Sequence, residues 1–158
     1  MAKMVRVMAS GVFDILHLGH LHYLEESKKL GDELIVVIAT DKRVRELKHE
    51  PITNENTRLE LIKSLKPVDD AFLGYESDIY KIVEEIKPDI ITLGFDQEHN
   101  EEKIVAELSS RGLNVKVKRL PKYDSDLNGT RKIIQKIIGG YQFQRKMDEI
   151  EQGGNANK

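Results

Sequence analysis

Two histidines, His17 and His20, stand three positions apart with Leu18 and Gly19 between them. They follow an apolar run, Met4-Val5-Arg6-Val7-Met8-Ala9, and open an amphipathic stretch that closes at Leu30-Gly31. An apolar run leading into an amphipathic one is a strand leading into a helix, so the pair sits at a strand-to-helix turn. A helix start presents N–H groups without partners and the positive end of the macrodipole, and a glycine there has no Cβ to hold an anion away. Imidazole adds donors whose charge changes near neutral pH. The combination suits a phosphate. Two plainer readings stand beside it: the rings cap the helix and satisfy backbone groups, or they form half of a zinc site for which no third ligand is arranged nearby. His22 lies off the face shared by the pair and reads as surface.

The bulk of the chain narrows what such a site can serve. A length of 158 residues predicts one domain with its own core. The absence of cysteine excludes disulfides, thiolate zinc sites and a cysteine nucleophile, and fits an intracellular protein. No apolar run approaches the roughly 18 residues of a membrane span, and the N-terminus reads as a strand rather than a signal peptide. The expectation is a cytoplasmic protein with no membrane partner. A net charge of −2 with 33% charged residues gives no global basic field, which speaks against nucleic acid as a partner. Any anion site must be local.

The elements that would position the histidines alternate in type. Residues 33–40 contain the unbroken apolar run Leu34 to Ala39, as expected of a strand covered on both faces. Residues 71–74, 89–94 and 113–120 read as further strands. Ile79, Ile82, Val83 and Ile86 follow the spacing of one buried helical stripe, stopped by Lys87-Pro88. Leu59, Ile62 and Leu65 mark a helix from about Asn54 to Pro67, and Val105 and Leu108 another, ended at Gly112. Ile133, Ile134, Ile137 and Ile138 mark the last, which Gly139-Gly140 should close. These units predict a single α/β domain, a doubly wound parallel sheet of about five strands, over residues 1–140, followed by a charged tail over 141–158. Ligands in such sheets lie beyond the carboxyl ends of the strands. The turn at 10–20 falls there, as do 41–50, 95–97 and 121–131. In the tail, Tyr141, Phe143, Met147 and Ile150 would suit a short partner-facing helix.

The segment Ser10-Gly11-Val12-Phe13-Asp14-Ile15-Leu16-His17-Leu18-Gly19-His20 resembles the signature of the HxGH nucleotidyltransferases, the cytidylyltransferase-like superfamily. Over roughly Met4 to Ile138 the resemblance sharpens. Leu47-Lys48-His49-Glu50-Pro51-Ile52, Asn56-Thr57-Arg58-Leu59, Leu65-Lys66-Pro67-Val68-Asp69 and Lys87 to Gln97 look like the archaeal-type FAD synthases. The related glycerol-phosphate cytidylyltransferases carry an Arg-Thr-x-x-x-Ser-Thr segment before the last helix. Here that region reads Arg119-Leu120-Pro121-Lys122-Tyr123 and then Asn128-Gly129-Thr130-Arg131, which leaves only Thr130 of the hydroxyl pair.

The resemblance implies attack by a phosphate oxygen of FMN on the α-phosphorus of ATP, with pyrophosphate released and FAD formed. His17 and His20 would be the catalytic pair, donating to triphosphate oxygens, with Leu18, Gly19 and the helix N–H groups completing the cradle. Mg²⁺ would be held largely by the nucleotide and water, with no protein ligand named. Val12 and Phe13 would bring backbone groups to the nucleotide, unless Phe13 packs under the loop. Asp14 either orients a histidine or braces the turn. Asp96 either accepts from ribose hydroxyls or the adenine amine, or caps a helix. Tyr123 would offer a flat face or a hydroxyl at the same end of the sheet, Lys48 would meet the phosphates of either substrate, Thr130 would be a late phosphate contact, and Arg58 and Arg131 would be phosphate clamps, against readings as an ordinary loop aromatic, a solvated helix and surface ion pairs. A homodimer is compatible with the resemblance, and nothing in the residues requires one. The rival activities are transfer from CTP to a small phosphorylated alcohol and a noncatalytic nucleotide-binding module.

Overall fold

The computed structural model describes residues 3–47, 49–125, 127 and 129–155. Five strands, β1 (Arg6–Gly11), β2 (Glu33–Ile38), β3 (Asp70–Leu73), β4 (Ile90–Leu93) and β5 (Lys116–Arg119), form one sheet in the order β3-β2-β1-β4-β5, all neighbours parallel. Six helices alternate with them: α1 (Leu18–Lys28), α2 (Asp41–Glu46), α3 (Glu55–Lys63), α4 (Lys81–Ile86), α5 (Glu101–Ser110) and α6 (Thr130–Asn155). The order reverses at β1, so the crevice beyond the end of β1 is where this topology places a ligand.

Alternate residues of the strands supply the two halves of the core. On one face Val7, Ala9, Leu34, Val36 and Ile38 pack with Leu24 of α1 and Ile62 of α3. On the other, Met8, Ile35, Val37 and Ile91 meet α4 and α5 through Ile82, Ile86, Ile104 and Leu108. A sheet apolar on both faces must be covered on both, which explains the unbroken apolar run of β2.

Several boundaries differ from expectation. The α4 helix begins at Lys81, and Ile79 lies ahead of it, exposed; Asp78 turns the chain there by accepting from the Tyr80 N–H at 3.0 Å. In α5 the buried residues are Ile104 and Leu108, while Val105 faces solvent. In α3 they are Arg58 and Ile62. β5 is confined to Lys116–Arg119, shorter than the expected 113–120. The largest difference is at the end. Gly139-Gly140 do not close the last helix, and α6 runs on through them for 26 residues. Each glycine costs about 1 kcal/mol relative to alanine but does not forbid the conformation. Tyr141, Phe143, Met147 and Ile150 therefore belong to this long helix, and all four are exposed. No helix among the described residues is long and apolar enough to cross a membrane.

Candidate active site

A cavity of about 550 Å³ opens beyond the end of β1. The turn after β1 forms its floor, and two of its residues, Phe13 (φ 56°) and Ile15 (φ 45°), are in the left-handed region. Non-glycine residues occupy that region only where the surroundings impose it. Here Arg58 imposes it from below. Wholly buried, its guanidinium donates to the carbonyls of Val12 (2.9 Å), Ala39 (2.8 Å) and Thr53 (3.1 Å), and to the Asp41 carboxylate at 2.6 Å. Arg58 is therefore neither a phosphate clamp nor a surface ion pair. It locks the histidine turn to the end of β2, with Val12 giving its carbonyl to the lock. Its place in the buried face of α3, four residues before Ile62, was a usable signal in the sequence.

Phe13 is only 3% exposed and packs under the turn, stacked on Tyr23 and edge-on to His20 with ring centres 5.3 Å apart. Asp14 braces the turn. Its carboxylate accepts from the Ile52 N–H (2.6 Å), the Thr53 N–H (3.0 Å) and the Thr53 hydroxyl (2.7 Å). Burial raises its pKa, and these bonds with the Arg58 charge outweigh burial and hold it below the ordinary carboxylate value. Its carbonyl accepts from the Thr130 hydroxyl. The proposed late phosphate contact is therefore also the tether that docks α6 on the histidine turn.

His17 and His20 lie side by side, with ring centres 3.7 Å apart and planes 26° from parallel. His17 is the N-cap of α1 but makes no side-chain capping bond. That removes the reading in which it merely caps the helix. The Nδ1 atoms of both rings are buried without a hydrogen-bond partner among the described residues. Buried polar atoms in native proteins nearly always find partners, and orphans at a cavity are a mark of a ligand site. Burial pushes both pKa values down. For His20 the neighbouring His17 adds to burial, against the pull of Asp14, and the value falls to about 3. For His17 burial outweighs the opposing charge of Asp96. Both rings are thus neutral at pH 7 in the unliganded protein, and a polyanion would meet two dipolar groups preset in position.

The other candidates divide. Gly19 lines the cavity, whereas the Leu18 side chain is 56% exposed and lies outside the lining, so only its main chain remains as a contact. Asp96 sits on the rim in the turn after β4, and the cap of α5 is Asn100, so the helix-cap reading fails. Tyr123, from the chain after β5, also lines the cavity and stacks on His22, ring centres 4.6 Å apart. His22 is therefore a wall of the cavity, not free surface; the sequence could not reveal this because its partner comes from a distant loop. Arg131 lines the cavity from the first turn of α6. Lys48 lies outside the described residues.

Three supporting residues were not foreseen. Gln97 accepts from the Gly94 N–H (3.1 Å) and donates to the Ser10 carbonyl (2.8 Å), joining the ends of β4 and β1. Arg119 donates to the carbonyls of Gly94, Gln97 and His99, and so fixes the loop that carries Asp96. Tyr23, half-buried at the cavity wall, donates to the Thr92 carbonyl at 2.8 Å, and desolvation of its hydroxyl pushes the pKa up to about 12.

Among the described residues no three histidines or carboxylates converge. The donors that the described residues bring to the cavity fit a cation carried in by a triphosphate.

A cytidylyltransferase-like family profile matches residues 8–145. The FAD synthase of Aciduliprofundum boonei is 61% identical over 136 residues, covering 85% of this chain and 91% of that protein. The FAD synthase of Thermoplasma volcanium is 55% identical over 135 residues, covering 85% and 95%. A crystal structure from T. volcanium GSS1, described as a lipopolysaccharide core biosynthesis protein, matches with a TM-score of 0.76 and 57% identity over 77% of this chain and all of that one.

Proposed function

Since the chain belongs to the cytidylyltransferase-like family, we propose that it is an FMN adenylyltransferase, an FAD synthase that transfers AMP from ATP to FMN and releases pyrophosphate. The observation that carries this reading is the stacked His17–His20 pair lining a cavity at the end of β1, with both Nδ1 atoms buried and unpartnered among the described residues. The curated relatives that match most of the chain bear the same activity in their names.

An oxygen of the FMN phosphate forms the new bond to the α-phosphorus as the bond to the β-phosphate oxygen breaks, and the electron pair leaves with pyrophosphate. No proton transfer and no covalent enzyme intermediate are required. What the protein must provide is alignment and donors aimed at the phosphoryl oxygens. His17, His20 and the first-turn N–H groups of α1 supply the donors, and Arg131 adds a cation from α6. Arg58 and Asp14 hold the turn so that the donors need not reorganise during the reaction. Asp96 accepts from the ribose or adenine, and Tyr123 with His22 walls that side. A divalent cation, Mg²⁺ in this reading, accompanies the triphosphate and neutralises part of its charge.

The reading includes a cytoplasmic location and a homodimer. The dimer is supported by the free length of α6, where Phe143, Met147 and Ile150 line one face at heptad spacing, flanked by Lys146 and Glu151. In a parallel pair with a second copy, each Lys146 falls opposite the partner's Glu151.

The direct test supplies purified protein with FMN, Mg²⁺ and either ATP or CTP. FAD and pyrophosphate from ATP is the expected result. Turnover only with CTP and a polyol phosphate would overturn it, as would nucleotide binding without pyrophosphate release.

A further inference from the structure

The cavity has two unlike sides, and the difference assigns the acceptor to one of them. This inference rests on the proposed activity and extends it to the flavin ring. The sheet order sets the chain after β2 and the chain after β4 and β5 on opposite sides of the histidine turn. The β4/β5 side is edged by Asp96, Gln97, His22 and Tyr123, hydrogen-bonding groups suited to a ribose and an aminopurine. The β2 side is walled by Val44, Leu47 and Ile52, and α6, tethered to the histidine turn through Thr130, adds Arg131 and Ile134 to the lining. We propose that this second side is the isoalloxazine subsite: the dimethylbenzenoid end of the flavin lies against Leu47, Ile52 and Ile134, and its phosphate points past Arg131 toward His17 and His20.

Two features make this wall a built surface rather than an incidental one. Leu47 and Ile52 are 51% and 62% exposed, large apolar side chains displayed toward a cavity with nothing in the described chain to cover them. Neither is on a loose loop. The Leu47 N–H donates to the carbonyls of Arg43 and Val44, which ends α2 in a closed turn. The Ile52 N–H is held at 2.6 Å by the Asp14 carboxylate. Asp14 also receives Thr130, one turn of helix before Ile134. One residue of the histidine turn thus fixes both walls of the apolar side, and fixes them relative to the imidazoles. Maintaining exposed apolar groups on a rigid backbone costs solubility and gains nothing for the fold. A flat, partly apolar ligand gives them a role. The opposite side is unsuited to the ring, since an apolar ring there would desolvate the Asp96 carboxylate at its edge.

The test uses the full chain carrying Ile52→Asp or Leu47→Ser, both at exposed positions where the fold tolerates change. Binding of FMN is followed without ATP by the change in flavin fluorescence, and KM is measured separately for FMN and ATP. The expected result is a loss of FMN affinity on the order of ten-fold or more, with a matching rise in KM for FMN. KM for ATP should stay within about two-fold of wild type. Unchanged FMN binding in both variants, or a rise confined to KM for ATP, would overturn the assignment while leaving the activity intact. Failure of the wild-type protein to bind FMN or to form FAD would instead strike the proposed activity on which the assignment rests.

Discussion

At the residue scale, the site is governed by two rings that stay neutral because they are buried against each other. His20 titrates normally at 6.5 and here at about 3. Between those values the unfolded chain binds a proton that the folded chain refuses. The His20 contribution to stability is therefore fully present above pH 6.5 and is lost as the pH falls toward 3. The expected observation is that the His20 ring resonances of the unliganded protein show no titration between about pH 8 and about pH 5, and begin to shift only in more acid solution. Binding of a nucleoside triphosphate should move the midpoint up, since a polyanion favours the imidazolium form. A midpoint near 6.5 without ligand would show that the rings are solvated and apart. Of this arrangement the sequence revealed the pair and its placement at a helix start. It did not reveal the stacking, which depends on Phe13 entering a left-handed conformation beneath His20, a conformation that no residue type in the turn advertises.

At the element scale, the order of strands and helices was readable because each carries its own period: two-sided apolar runs for strands, and i, i+3, i+4 stripes for helices. The errors lie where one position decides. Arg58, with Ile62, forms the buried face of α3, yet a charged side chain invited a surface reading. Only the convergence of three carbonyls and a carboxylate around it, from residues up to 46 positions away, makes its burial favourable. At the end of the chain, Gly139-Gly140 looked like a stop and are spanned by α6. A helix with its outer part free in water holds poorly alone, which is why its exposed apolar face matters. If Phe143, Met147 and Ile150 pair with a second copy, Phe143→Lys together with Ile150→Lys should convert a dimer to a monomer in light scattering, with the nucleotide site unharmed. A wild-type protein that is monomeric at all accessible concentrations would exclude that pairing.

On the scale of the whole molecule, the fold brings together residues that the sequence separates by more than a hundred positions. Asp14 binds Ile52, Thr53 and Thr130 at once, and Gln97 joins β4 to β1, so the turn carrying the histidines is held from three directions. The local signature and the alternation of elements were legible because they are short-range patterns. The walls of the cavity were not, since His22 acquires its meaning from Tyr123, a hundred positions away, and Leu47 and Ile134 line one cavity from the end of α2 and from α6. The central claim is that the paired imidazoles stabilise the transferring phosphoryl group in a turn already fixed in place. It is tested most directly by the steady-state rate of pyrophosphate release from ATP and FMN in His17→Ala and His20→Ala, with folding checked by circular dichroism. The account predicts a fall in kcat of roughly 10² to 10³ in each, the scale of losing one preorganised donor, with the fold retained. A rate unchanged from wild type in either variant would contradict it.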